Sequence, residues 1–173
     1  MKAAPQKTAR PDNTVLKLAL GGMLAALTFV ATYFLKLPIP MSGGYVHLGD
    51  GVILLGAMLL GSVAIPAAAI GSLLADLLLG YTAYALPTLI IKGAMAAVAT
   101  VAGARKNLWL RALWLLLAEC VMVFGYFAVE WLIMGYGFAG AWANVPANAA
   151  QGISGILFAT ALHPLLTRVV ARV

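Results

Sequence analysis

Charged residues are scarce in this chain. Asp, Glu, Lys and Arg make up 9% of its 173 residues, whereas soluble globular domains carry about 25%. Hydrophobic residues make up 64%, and the mean hydropathy is +1.00. This composition excludes a soluble globular domain and predicts an all-α integral membrane protein, because the apolar runs match spans of roughly 20 residues. The single cysteine, Cys120, excludes an intramolecular disulfide and a cysteine-based metal site.

The residues needed for catalysis are also few. The segment Gly152-Ile-Ser-Gly155 resembles the nucleophile motif of rhomboid intramembrane proteases, and His163 follows it. On one helix, however, Ser154 and His163 point in opposite directions and cannot form a dyad. The only other histidine, His47, is expected at the opposite membrane face, which argues against a metal site. We therefore expect no enzyme, no metal and no cofactor, and no nucleic-acid partner.

The apolar pattern divides the chain into a polar tail, residues 1–14, and a membrane domain, residues 15–173. The domain has room for a bundle of six transmembrane helices. The predicted spans are residues 15–37, 47–60, 63–79, 85–102, 108–134 and 146–170. Pro38 is expected to close the first span, Pro87 to lie in the first turn of the fourth, and residues 135–145 to form a loop.

Basic residues give the orientation, because short cytoplasmic loops collect Lys and Arg. Six spans place three basic groups on one side of the membrane, so both termini are expected to be cytoplasmic. The groups are Lys2, Lys7, Arg10 and Lys17; Arg105, Lys106 and Arg111; and Arg168 and Arg172.

Most acidic residues lie inside or at the ends of these spans: Asp50, Asp76, Glu119 and Glu130. A carboxylate near the bilayer centre costs about 3 kcal/mol, so such a residue usually faces a cavity, a partner or a ligand. We expect Asp50, Asp76 and Glu130 near the outer face and Glu119 deeper. Lys92 should pair with Asp50 or Asp76, either as a structural ion pair or as part of a ligand site. Asp50 as a helix cap and Asp76 as a carboxylate at a helix end are the alternatives.

Two further patterns indicate a polar interior. In Tyr45-Val-His-Leu-Gly-Asp50, His47 and Asp50 share one helix face if the segment begins a helix. Glu130 lies one turn from Tyr126, and the last span carries a polar stripe of Asn144, Asn148 and Gln151. The stripe either binds a small polar molecule or joins helices.

The first span carries two small-xxx-small pairs, Gly21 with Ala25 and Gly22 with Ala26. Small residues at this spacing let another helix approach closely. The pattern therefore marks this span as a candidate helix-docking surface.

Together, the six spans, the Tyr45 to Asp50 segment, Ala75-Asp76-Leu-Leu-Leu-Gly-Tyr81 and Ile91-Lys92-Gly93 resemble the substrate-binding S components of energy-coupling factor (ECF) transporters. The resemblance is closest to the riboflavin-type branch, which includes carriers of pyridoxine-like, hydroxymethylpyrimidine-like and queuosine-precursor substrates. It implies a plasma-membrane subunit that captures a vitamin-like heterocycle from outside. Such a subunit has no ATPase of its own, and the chain has no Walker motif.

The resemblance also implies partners and site residues. The first span would dock onto a transmembrane coupling subunit that carries two ATPases, although the family's Ala-x-x-x-Ala is here Gly21-x-x-x-Ala25 or Gly22-x-x-x-Ala26. A solitary carrier or a membrane assembly protein is the alternative. The implied substrate-binding residues are Tyr45, His47, Asp50, Tyr84, Lys92, Glu130, Asn148 and Gln151. Asp76 joins the predicted substrate-binding residues as a carboxylate within an apolar span.

Overall fold

The computed structural model describes residues 14–38 and 45–170. Within these residues the chain forms six α-helices and one antiparallel pair of short strands. In chain order the elements are α1 Thr14–Phe34, β1 Lys36–Pro38, β2 Tyr45–His47, α2 Gly49–Leu60, a 3-10 turn Gly61–Val63, α3 Ala64–Leu79, α4 Thr82–Gly103, α5 Leu108–Leu132 and α6 Gly137–Val170. The fold is thus helical, as expected, apart from the strand pair.

Five helical segments in this part of the chain are long and apolar enough to cross a membrane: Thr14–Phe34, Gly49–Leu79, Thr82–Gly103, Leu108–Leu132 and Gly137–Thr167. Large apolar side chains are exposed along them, such as Leu27 on α1, Ile90 on α4 and Phe124 on α5. A bilayer accepts such a surface, since its interior is as apolar as these side chains. The segment Gly49–Leu79 contains two helices, α2 and α3, separated by the 3-10 turn.

The chain reverses direction at this 3-10 turn. Four close approaches relate α2 and α3 to α1: Gly49 to Thr32, Gly56 to Leu24, Val63 to Gly21, and Gly71 to Thr28. From Gly49 to Gly56 in α2, the neighbouring residue on α1 changes from Thr32 to Leu24, so α2 runs antiparallel to α1. From Val63 in the turn to Gly71 in α3, the neighbouring residue on α1 changes from Gly21 to Thr28, so α3 runs parallel to α1.

The end of α1 differs from the prediction. The helix stops at Phe34, and residues 36–38 pair with residues 45–47 as antiparallel strands, with Lys36 opposite His47 and Pro38 opposite Tyr45. The prediction of a helix to residue 37 was wrong. Proline lacks a backbone N–H and favours extended backbone in the residue before it, so Leu37 is more readily part of a strand.

The start of α6 also corrects the sequence analysis. The helix begins at Gly137 and runs through Pro146, so the predicted loop over residues 135–145 was wrong. Aromatic packing explains the extension. Phe138 and Trp142, one turn apart, stack with ring centroids 6.1 Å apart, and both rings contact Phe127 of α5 edge to face. Packing of this first turn against α5 outweighs the helix-breaking tendency of Pro146.

Local signals set two other helix boundaries. Gly80 ends α3 in the left-handed conformation with φ 83°, which glycine adopts without a Cβ clash. The next helix starts immediately, at Thr82, so Pro87 lies beyond the first turn of α4, contrary to the prediction. Asn107 caps α5, since its side chain accepts hydrogen bonds from Trp109 N at 2.9 Å and Leu110 N at 3.3 Å.

Small residues allow α3 and α4 to pack closely. The two helices bury a series of alanines, which leave little side-chain bulk between the backbones: Ala64, Ala67, Ala68 and Ala75 on α3, and Ala96, Ala99 and Ala102 on α4. At the far end of α4, Gly103 lies against the backbone of Met58 in α2. This close packing holds α2, α3 and α4 as a frame for the polar side chains between them.

Candidate functional site

An ion pair lies in the interior of the helix bundle. Lys92 Nζ of α4 is 2.5 Å from Asp50 Oδ1 of α2, and the two side chains are 1% and 0% exposed. Gln151 Nε2 of α6 donates a hydrogen bond to the other oxygen, Asp50 Oδ2, at 2.7 Å. Both oxygens of Asp50 therefore have a donor, one charged and one neutral. With His47, these residues form what we call the deep layer.

His47 joins the strand pair to this layer. Its backbone N–H donates to Gln151 Oε1 at 3.0 Å, and its ring nitrogen Nδ1 accepts from Gly49 N at 3.0 Å. Because Nδ1 accepts this hydrogen bond, it carries no proton and the His47 ring is neutral.

The sequence His47-Leu-Gly49 explains how the strand can turn so tightly into α2. A Cβ on Gly49 would overlap the Thr32 hydroxyl and lie 2.7 Å from His47 Nδ1. A side chain at this position would therefore separate α1 from the start of α2. Glycine lets Asp50, the next residue, enter the bundle interior on the first turn of the helix.

A second polar cluster lies near the N-terminal end of α4. Glu130 of α5 accepts hydrogen bonds from Tyr84 Oη of α4 at 3.1 Å and from Asn144 Nδ2 of α6 at 3.0 Å. Tyr84 Oη also lies 3.3 Å from Tyr136 Oη. Glu130 and Asn144 are 4% and 8% exposed. We call these four residues the rim layer.

The two layers lie at corresponding levels of α4 and α6. On α4, Tyr84 and Lys92 are eight residues apart, about 12 Å along the axis; on α6, Asn144 and Gln151 are seven apart, about 10 Å. Between them, Thr88 Oγ1 and Tyr126 Oη share a hydrogen bond of 3.0 Å. Lys92 Nζ lies 5.4 Å from the centroid of the Tyr126 ring. The layers are therefore connected by a column of hydroxyl groups and one aromatic face.

Most of the predicted site residues lie in or beside these layers. His47, Asp50, Lys92 and Gln151 form the deep layer, Tyr84 and Glu130 belong to the rim layer, and half-buried Asn148 lies between the two on α6. The expected pairing of Lys92 with one of two carboxylates is confirmed, with Asp50 as the partner. That Asp50, Asp76 and Glu130 lie near the outer face stays a prediction. Asp76 is buried on α3 and lies within electrostatic range of Tyr126, between the two layers.

The remaining residues are one predicted contact in the strand pair and several residues outside the predicted substrate-binding set. Tyr45 lies in β2, and the prediction for its side chain falls outside the described part of the structure. Asn144 and Tyr136 were not among the predicted site residues, although Asn144 was part of the polar stripe. Glu119, buried on α5, was expected deeper than the others but was given no role. Among the described residues, no group of three or more His, Cys, Asp and Glu is arranged to hold a metal ion.

The two small-residue pairs of α1 face different surroundings. Gly21 and Ala25 face the bundle: a Cβ on Gly21 would lie 3.1 Å from Val63, and the Ala25 backbone contacts α3 at Gly71. Gly22 and Ala26 are exposed, and nothing lies within 4 Å of the Gly22 Cβ position. Only the second pair is therefore open to another helix.

Comparison with known proteins identifies the family. The family model described as ECF-type riboflavin transporter, S component, matches residues 12–168. The chain belongs to this family. The predicted resemblance is thus confirmed, and with its five apolar spanning segments this S component is a multi-pass protein of the cell membrane and not an enzyme.

Two relatives cover most of this S component. The thiamine precursor transporter HmpT of Lactococcus lactis subsp. cremoris is 37% identical over 163 residues, which make up 91% of this chain and 91% of HmpT. A Pyrococcus woesei protein known as an uncharacterized protein in gap 3′ region is 37% identical over 141 residues, 80% of this chain and 93% of that protein.

Proposed function

We propose that this S component captures a thiamine precursor, or a related small nitrogen heterocycle, outside the cell for import. Family membership and the similarity to HmpT support this proposal. The structural observation behind it is the deep layer, a buried ion pair with an amide partner in the middle of a membrane bundle. Intramembrane ionisable groups are costly, and transporters commonly keep them where a substrate binds.

The two layers suit a flat ring with polar groups at its edge. The deep layer offers a carboxylate, an ammonium and an amide, while the rim layer offers a carboxylate, an amide and tyrosine hydroxyls. The rings of Tyr84 and Tyr126, with centroids 6.3 Å apart, offer aromatic faces between them. In this proposal the substrate contacts are made by Tyr45, His47, Asp50, Asp76, Tyr84, Lys92, Glu130, Asn148 and Gln151.

The proposed topology has six membrane crossings with both termini in the cytoplasm. The reversal of the chain at the 3-10 turn supports it, because α2 and α3 then cross in opposite directions. The basic residues Arg105, Lys106 and Arg111 lie between or at the ends of α4 and α5, on the side away from the rim layer. With the basic side inside, the rim layer opens toward the outer face.

The proposed partners are an ECF transmembrane coupling subunit and two ATPase subunits, with docking through α1. Gly22 and Ala26 are the proposed docking pair, because they are the small-xxx-small pair of α1 that is exposed. Gly21 and Ala25 already pack against the protein's own turn and α3. A helix of the coupling subunit would approach α1 closely along the exposed pair.

Ligand retention tests the proposed substrate. The detergent-purified protein should carry or bind hydroxymethylpyrimidine when offered with pyridoxine, a deazapurine and riboflavin, as measured by native mass spectrometry and titration calorimetry. Asp50→Asn should weaken binding to the folded protein by more than tenfold, because a hydrogen bond to a charged group is worth about 1.5 to 3 kcal/mol. Binding of none of these compounds would contradict the proposal.

Docking is tested separately by Gly22→Trp. This change should abolish uptake in cells and co-purification of the coupling subunit, because the indole fills the space that a second helix needs, while ligand affinity stays unchanged. Leu86→Trp on the exposed face of α4 is the matched control and should leave uptake intact. Uptake by Gly22→Trp at the wild-type rate would favour a carrier that works alone.

A further inference from the structure

Another interior carboxylate, Glu119, lies beside the deep layer without a hydrogen-bond partner among the described residues. Its side chain is 3% exposed, and neither carboxylate oxygen has a hydrogen-bond partner among the described residues. Asp50 and Glu130, in contrast, each accept two hydrogen bonds. A buried polar group left unsatisfied in a native protein calls for an explanation.

The position of Glu119 is fixed by two glycines of α6. Its Oε2 lies 3.0 Å from the Cβ position of Gly152, and its Oε1 lies 3.1 Å from the Cβ position of Gly155. The Gly155 position is also 3.3 Å from Asp50 Cβ. Because neither glycine has a side chain, the carboxylate reaches the backbone of α6 next to the start of α2. Glu119 is therefore adjacent to the deep layer.

The charges of the deep layer do not offset Glu119. Asp50 and Lys92 form an ion pair and cancel each other. His47 is neutral, because its Nδ1 accepts a hydrogen bond from Gly49 N. An ionised carboxylate buried without a partner is strongly disfavoured, so such a group either holds a proton or receives a complementary charge. A cationic ligand can supply that charge.

The rim layer has the same charge imbalance. Glu130 accepts hydrogen bonds from Tyr84 and Asn144, which are both neutral donors. The tyrosine faces between the layers would also attract a positive charge, as Tyr126 does for Lys92. Both ends of the candidate site therefore favour a cationic ligand over a neutral one.

We propose that the site selects a heterocycle that carries a positive charge and that Glu119 is its counter-ion. The charge is either permanent or a proton on a ring nitrogen. This inference rests on the proposed function and narrows it from small nitrogen heterocycles to their cationic forms. It also adds a specificity-determining residue to those of the two layers.

Two matched probes test the inference. Both are hydroxymethylpyrimidine with one extra methyl group, placed either on a ring nitrogen, which makes a permanent cation, or on the adjacent ring carbon, which leaves the ring neutral. The probes have equal numbers of heavy atoms and differ in charge. Calorimetry should give the wild-type protein at least about tenfold higher affinity for the cation, as expected for a charge-assisted contact in a buried site.

The ratio of the two affinities identifies the role of Glu119. In Glu119→Gln, which keeps the side-chain shape and removes the charge, the preference should fall to within about threefold. Glu119→Asp, which keeps the charge, should retain a clear preference for the cation. A merely structural role for Glu119 would lower both affinities alike and leave the ratio unchanged.

Either of two results would overturn the inference. The first is that the wild-type protein binds the neutral probe as tightly as the cationic one. The second is that Glu119→Gln leaves the ratio of the two affinities unchanged. The first needs no variant, so the test does not depend on how well a variant folds. If the wild-type protein binds neither probe nor any compound of the wider panel, the proposed function fails together with the inference.

Discussion

The deep layer and the rim layer are each built around a buried carboxylate, but they satisfy it differently. Asp50 in the deep layer receives an ammonium group at 2.5 Å and an amide at 2.7 Å. Glu130 in the rim layer receives a phenol and an amide, at 3.1 and 3.0 Å. The deep layer therefore depends on one charged partner, whereas the rim layer depends on several neutral ones.

This difference predicts how each layer responds to mutation. Removing one member of a buried ion pair leaves a charge without a partner in a low-dielectric interior, and this typically costs about 3 to 5 kcal/mol. Removing a neutral donor costs less, because the carboxylate still accepts a hydrogen bond from its other donor. The deep layer should therefore behave as a unit, whereas the rim layer should lose stability in smaller steps.

The largest effect is expected from Lys92→Met. The change leaves the Asp50 carboxylate buried without its cation, so the free energy of unfolding should fall by about 3 to 5 kcal/mol. Thermal unfolding in detergent, with denaturant titration where it is reversible, measures the loss. Asp50→Asn combined with Lys92→Met is the matched control, since it removes both charges.

The double variant should be more stable than Lys92→Met alone. A double variant as unstable as, or less stable than, the single one would show that the two residues do not act as a pair. In that case any difference in stability loss between the two layers would come from packing and not from charge.

A smaller effect is expected from Tyr84→Phe in the rim layer. The change removes one hydrogen bond to Glu130 and leaves the bond from Asn144, so stability should fall by about 1 to 2 kcal/mol. The same unfolding measurement detects it. Tyr33→Phe on α1, outside both layers, controls for the loss of a phenol. A loss as large as that of Lys92→Met would remove the distinction between the layers.

The interior polar residues were predictable from the sequence because the bilayer makes them expensive. Asp50, Lys92 and Gln151 each interrupt an apolar segment, and this marked them as candidate site residues. A pairing was predicted only for Lys92, with Asp50 or Asp76. Their exact arrangement was not predictable, because Asp50 and Asp76 lie on neighbouring helices and spacing along the chain does not say which one faces Lys92. Asp50 is the carboxylate that pairs with Lys92, because the chain reverses at the 3-10 turn and because Gly49 lets α2 begin close to α1.

Helix boundaries were less predictable, because two prolines gave misleading signals. Pro146 is accommodated within α6, where aromatic rings hold the preceding turns against α5. Pro38 indicated a helix to residue 37, but α1 ends at Phe34 and a strand follows. Both outcomes depend on contacts with residues far along the chain, which no local pattern contains.

The bond between the backbone of His47 and the side chain of Gln151 spans 104 residues of sequence. Because synthesis runs from the N-terminus, Asp50 and Lys92 both exist before Gln151 is made. We expect their ion pair to form once α4 has been inserted. The hydrogen bond between the strand pair and Gln151 requires α6, so the site should be complete only after the last helix has been inserted.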